Sequence, residues 1–167
     1  MAIWYEVEKD EQGMKDFLDC NWCFHDFRPE SISFIPEKDM VEILLQFDTR
    51  TEGVLLRFVG VHNFHVNIHR DYEADWVSGS TLKLLENGCL IWFDDDNASD
   101  IIDLMRYTTW VESDRLIWAA TDAEGHPMEL GESRIDQSWS RFGGDLRSDF
   151  PLKPFDDKWE EILKPHR

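Results

Sequence analysis

Cys20-Asn21-Trp22-Cys23 sets two thiols at the C-x-x-C spacing shared by redox pairs and zinc sites. A redox pair needs a thiolate, which proteins make by placing the leading cysteine at a helix N-terminus, where the positive dipole end lowers its pKa. Here Met14, Phe17 and Leu18 fall at i, i+3 and i+4 behind Asp10 as a cap, which predicts a helix over 11–20 ended by Asn21. Cys20 then lies at the C-terminal end of that helix, beside Asp16, Asp19 and Asp26. Dipole and carboxylates both disfavour ionisation, so the two cysteines read as ordinary reduced thiols.

His62, His65 and His69 are the second constellation, and with Cys20 and Cys23 they would supply a mixed zinc set. On a helix the three histidines would line one face. On a strand His65 and His69 stand about 13 Å apart and His62 points the other way, too far for one ion. Phe64, Val66 and Ile68 alternate with Asn63, His65, Asn67 and His69, which predicts a strand with one apolar and one polar face. His25-Asp26 matches the metal-binding dyad of HD-type phosphohydrolases, but Pro29 denies it the helix that carries that dyad. A structural role for His25, hydrogen-bonded near the rim of a sheet, is expected. Asp94-Asp95-Asp96-Asn97 could open a calcium loop, yet Ala98, Ser99 and Met105 stand where an EF-hand wants Asp or Asn, Gly and Glu. There is no G-x-S-x-G, and Gly143-Gly144 stands apart from any phosphate-cradling pattern. The expectation is therefore no metal, no cofactor and no catalytic residue.

The elements that would position these residues are mostly strands. Residues 2–7, 32–35, 40–47, 53–59 and 62–69 carry β-formers, and Asp48 to Glu52 separates two of the runs as a hairpin signal. Gly60 interrupts the second of them, which predicts a bulge or bend in one long strand whose Leu56, Phe58, Phe64, Val66 and Ile68 share a core face. Residues 81–85 and 89–94 join across Asn87-Gly88, the strongest hairpin signal in the chain. Ile101, Ile102, Leu104 and Met105 fit neither period cleanly and are read as a helix capped by Ser99. Residues 107–112 and 115–121 read as a further hairpin turning at Ser113-Asp114. Residues 122–154 read as an irregular wrapping segment, and Phe155, Trp159, Ile162 and Leu163 predict a terminal amphipathic helix over 155–164. The fold class is α+β within residues 1–167 as a single domain: a predominantly antiparallel, twisted sheet, or a partly open barrel or sandwich, with short N-terminal and C-terminal helices.

A total of 17 basic against 35 acidic residues leaves a net charge of −18. Nucleic-acid binding draws on clustered Lys and Arg, so this balance excludes a nucleic-acid reader. No apolar run reaches the length of a membrane span, and residues 1–6 lack the basic and apolar regions of a signal peptide, which predicts a cytoplasmic protein away from membranes. Three cysteines do not make a disulfide scaffold. Oligomeric state is not legible.

Trp22 to Phe27, then Ile32 to Ile35, then two paired runs ending in Leu56-Arg57-Phe58-Val59-Gly60-Val61, resemble small uncharacterised acidic β-rich bacterial domains, some of them regarded as immunity proteins of polymorphic toxin systems. The likeness spans about the first 70 residues. It implies a non-catalytic binding protein that occludes a toxin. With the charge, it points to a cationic protein partner, met through loop-tip acids Asp94, Asp95, Asp96, Glu112 and Asp114. The alternative is a metal-dependent hydrolase or other enzyme using His25, His62, His65 and His69.

Overall fold

Residues 40–47 and 53–65 are dense in Val, Ile, Leu and Phe, and the computed structural model pairs them as two long antiparallel strands, β3 (Met40–Phe47) and β4 (Gly53–His65). It describes residues 3–47, 53–67, 79–95, 101–130 and 153–154. The other strands are β1 (Trp4–Glu6), β2 (Phe27–Ile35), β5 (Thr81–Leu84), β6 (Leu90–Phe93), β7 (Trp110–Thr121), β8 (Pro127–Met128) and β9 (Lys153–Pro154). Among the described residues two α-helices accompany them, α1 (Glu11–Cys20) and α2 (Ile101–Tyr107). The described strands form one antiparallel sheet in the order β2-β3-β4-β7-β1-β9, with β6 also joined to β7 and β5 closing on β6. The order ends on two different strands, so the sheet is open rather than a closed barrel.

The first helix forms as its periodicity dictates. The Asp10 carboxylate accepts the Gly13 N–H at 2.6 Å, and Asn21 caps the other end, its Nδ2 donating to the Phe17 carbonyl at 2.9 Å. Phe17 and Cys20 are fully buried against the sheet with Leu56, Phe58 and Trp118, and Met14 and Leu18 pack beside them. The turn that follows is left-handed: Trp22, Cys23 and Phe24 have φ of 51°, 52° and 57°. Each such residue is disfavoured by about 1–2 kcal/mol. Burial of Trp22 and Phe24 in the core offsets this, and the Cys23 carbonyl accepts the Ser80 N–H at 2.8 Å. Cys23 therefore leaves α1 on a strained turn, and C-x-x-C spans a helix C-terminus.

β2 is longer than the 32–35 run and begins at Phe27, with Pro29 inside it. The proline lies where the β2–β3 register shifts, between Pro29 and Ser31, on a strand at one end of the sheet order. Those are the two settings that tolerate a missing N–H.

The expected hairpin at Ser113-Asp114 does not form. Residues 110–121 are one continuous strand, β7, the longest partner of β4 from Gly53↔Thr121 to His65↔Trp110. A Ser-Asp pair resembles a turn in isolation, but here β4 supplies a partner along the full length and Ser113 is fully buried. Residues 122–130 are likewise more ordered than an irregular segment: Asp122 N–H bonds the His126 carbonyl at 3.0 Å, and β8 returns to pair with the end of β7. The helix expected over 155–164 lies outside the described residues. No described helix is long and apolar enough to cross a membrane.

Candidate functional site: the fork in the sheet

β7 keeps β4 on one edge throughout but changes partner on the other. Trp110–Ser113 pairs with β6, and Ile117–Ala119 pairs with β1. The sheet forks at the residues between. On the β4 side the register shifts at the same level: Val61 faces Ser113 and Asn63 faces Glu112, which leaves His62 as the extra residue of a bulge. Gly60 prepares that bulge with φ of +67°, a left-handed conformation that glycine adopts freely. A Cβ at Gly60 would collide with the Asp114 side chain, so any other residue there would have to push that half-exposed carboxylate aside.

Three side chains meet at the fork. His62 Nε2 lies 2.7 Å from Asp114 Oδ1, and the Cys89 thiol donates to the same oxygen at 3.6 Å. Cys89 is delivered by the β5–β6 hairpin, where Gly88 takes φ of +83°, Asn87 Oδ1 accepts the Cys89 N–H at 3.0 Å, and Lys9 Nζ holds the Gly88 carbonyl at 2.8 Å. His62 and Asp114 are about half exposed while Cys89 is buried at 3%. Burial, then the charge of and hydrogen bond to Asp114, then the charge of Glu112, push the Cys89 thiol above its ordinary pKa, with Lys9 opposing. The thiol is thereby kept protonated and is a poor nucleophile. Glu112 sits beside it, its Oε1 accepting from Asn87 Nδ2 at 3.2 Å, and exposed Asp39 borders the bulge through its carbonyl bond to the Val61 N–H.

The other expected site residues have different fates. Asp94 is fully buried: its Oδ1 accepts the Thr109 N–H at 3.0 Å and its own N–H bonds the Thr109 carbonyl at 3.1 Å. It extends the β6–β7 pairing by one step and presents no carboxylate to a partner, which corrects the reading of Asp94 as part of an exposed acidic tip. Asp95 is half-buried, and Asp96 lies outside the described residues. The polar face of Asn63, His65, Asn67 and His69 is not one continuous surface. Asn63 is exposed, but the strand ends at His65, whose Nδ1 donates to the Thr108 carbonyl at 2.8 Å beside the Trp110 ring. The Asn67 N–H donates to Thr109 Oγ1 at 3.0 Å, and His69 lies outside the described residues. His25 pairs with Asp26 at 3.0 Å, as a rim histidine should.

His25, His62 and His65 thus have three separate partners. Among the described residues, the groups whose ligand atoms could share an ion are His62 with Cys89 and Asp114, and Asp122 with Glu124 and His126. The second is explained by its own turn, since Asp122 Oδ1 accepts the N–H groups of Glu124 and His126, which also lower the Asp122 pKa. Cys89 was missed in the sequence because only Cys20 and Cys23 carried a motif spacing. Gly60 and Asn87-Gly88 were visible as backbone signals, but not that they meet across β7. Comparison with family models, curated proteins and solved structures returns no match.

Proposed function

We propose that this chain is a non-catalytic binding protein that engages a cationic protein through its acidic surface, as an immunity protein engages a basic toxin. One observation carries the reading. Lys15, Arg28, Arg57 and Arg115 are each held in an ion pair with a carboxylate of the same chain, Asp19, Glu30, Glu42 and Glu6 respectively. Arg57 and Arg115 are largely covered in these pairs and Lys15 and Arg28 are matched at the surface by acids of their own fold, while Asp39 and Asp114 stand exposed around the fork and Glu112 half exposed beside them. The chain carries a net charge of −18, which favours a cationic partner over an anionic one. The raised pKa of the buried Cys89 thiol supports binding over nucleophilic chemistry at the fork. The resemblance of residues 22–61 to immunity-type domains is part of the same reading.

Steered association has a measurable signature. The Debye length falls from ~10 Å at 0.1 M to ~3 Å at 1 M salt, so the on-rate of a partner recognised by charge falls over that range. Partners captured on the immobilised chain at low salt should be basic. Their on-rate should drop with salt, and drop at low salt when Glu112→Gln and Asp114→Asn are combined. A partner that is acidic, or that binds equally fast at both ends of the salt range, overturns the proposal.

A further inference from the structure

We propose that His62, Cys89 and Asp114 form a binding site for a zinc-type divalent transition metal at the fork of the sheet. The three ligand atoms, an imidazole nitrogen, a sulfur and a carboxylate oxygen, all lie within 4.8 Å of one another. Around tetrahedral zinc, with bonds of ~2.0–2.3 Å, ligand atoms stand roughly 3.3–3.8 Å apart. The present spacing of 3.6 Å for Cys89 to Asp114 lies within that range, and that of 2.7 Å for His62 to Asp114 is about 0.6 Å short of it. Adjustments of about 1 Å in side chains, two of which are half exposed, would seat the ion without moving a strand.

The donor set chooses the metal. Sulfur and imidazole nitrogen beside one carboxylate suit zinc and cobalt, whereas calcium and magnesium require oxygen ligands in larger number. Protein supplies three ligands, and the exposed side of His62 and Asp114 leaves the fourth position to water. The Cys89 thiol would lose its proton to solvent as the ion enters, and the resulting thiolate and the Asp114 carboxylate together would neutralise a divalent ion.

The backbone is built for this convergence. His62 is the extra residue of a bulge, Cys89 is pinned by Asn87 and by the Lys9 contact with Gly88, and Gly60 is the residue that admits the Asp114 carboxylate. A bulge on β4, a hairpin loop before β6 and the fork of β7 coincide at one level of the sheet, and the three atoms meet there. The inference does not depend on the proposed cationic partner, because it is read with the metal alone.

The test is titration of the full chain with Co2+ and Zn2+, with no partner present. One equivalent of Co2+ should give the intense visible bands of a tetrahedral ion and a thiolate-to-cobalt charge-transfer band, and Zn2+ should bleach both. Cys89→Ser should abolish the charge-transfer band, and His62→Asn should weaken Zn2+ by at least about tenfold. Cys23→Ser and His126→Asn should leave both unchanged. If Cys89→Ser does not fold, the His62→Asn affinity and the unchanged Cys23→Ser spectrum still decide. A pale octahedral spectrum without a thiolate band, or an affinity untouched by His62→Asn, overturns the site.

Discussion

The two halves of β7 solve the same problem differently. From Leu116 to Thr121 every residue is buried. The strand is flanked by β4 on one edge and by β1 and then β8 on the other, and simple alternation sends Leu116 and Trp118 into the core beneath α1 and Ile117 into a second cluster with Met40 and Val59 on the other side. From Trp110 to Ser113 the strand is flanked by β4 and β6, and here it is Val111 that reaches the main core while Trp110 joins Ile91 and Phe93. Val111 has odd parity and Leu116 even, so the strand changes phase between them. That change is the fork, and it is where the polar groups gather. A sheet that keeps its phase buries alternate side chains and leaves nothing for chemistry; a sheet that slips by one residue must place something at the slip. Here it places a histidine, a thiol and a carboxylate.

The regular half should be the more costly to damage. Phe58 packs on the Trp92 ring at 5.8 Å and is 1% exposed, so Phe58→Ala should lose about 3–5 kcal/mol in a denaturant titration. A loss under about 1 kcal/mol would mean that the core closes over the gap, and that regular pairing is not what stabilises this half. Next in size is Asp94→Ala, which strands the Thr109 N–H in a buried place and should cost about 1–3 kcal/mol. Asp94→Asn keeps an acceptor and should cost clearly less, and neither change should alter a partner's on-rate at low salt. An on-rate change in a folded Asp94→Asn protein would return that residue to the binding surface.

The smallest effect of the three belongs to the fork. Gly60→Ala must adopt a left-handed φ and displace the Asp114 carboxylate, which together should cost about 1–2 kcal/mol. Part of that loss is steric and should be recovered in the double variant with Asp114→Ala, leaving the conformational part alone. Strict additivity would show that Gly60 and Asp114 do not touch, and the comparison between the two halves of β7 would lose its basis.

What the sequence determined by itself was local. Asp10, Phe17 and Asn21 specify α1 because capping and helical spacing act within a few residues. Asn87-Gly88 specifies its hairpin because a tight turn needs a left-handed residue there, and Gly60 announces the bulge for the same reason. Leu56 and Phe58 were legible as core, being on the stretch before the bulge. Past it shared parity ceases to be a guide: Val61 and Phe64, of opposite parity, both pack partly buried against the core, Val66 is half-buried, and Ile68 lies outside the described residues. Only the tertiary structure decided that Ser113-Asp114 runs through a strand instead of turning, because that depends on β4 lying alongside. Only the tertiary structure buried Asp94, because its partner Thr109 is brought to it by the pairing of β6 with β7. The meeting of His62, Cys89 and Asp114 is of the same kind. His62 and Asp114 were singled out only within their own segments and Cys89 carried no motif; their proximity is set by strand order and by the register shift between β4 and β7, long-range quantities that no local window of the chain contains.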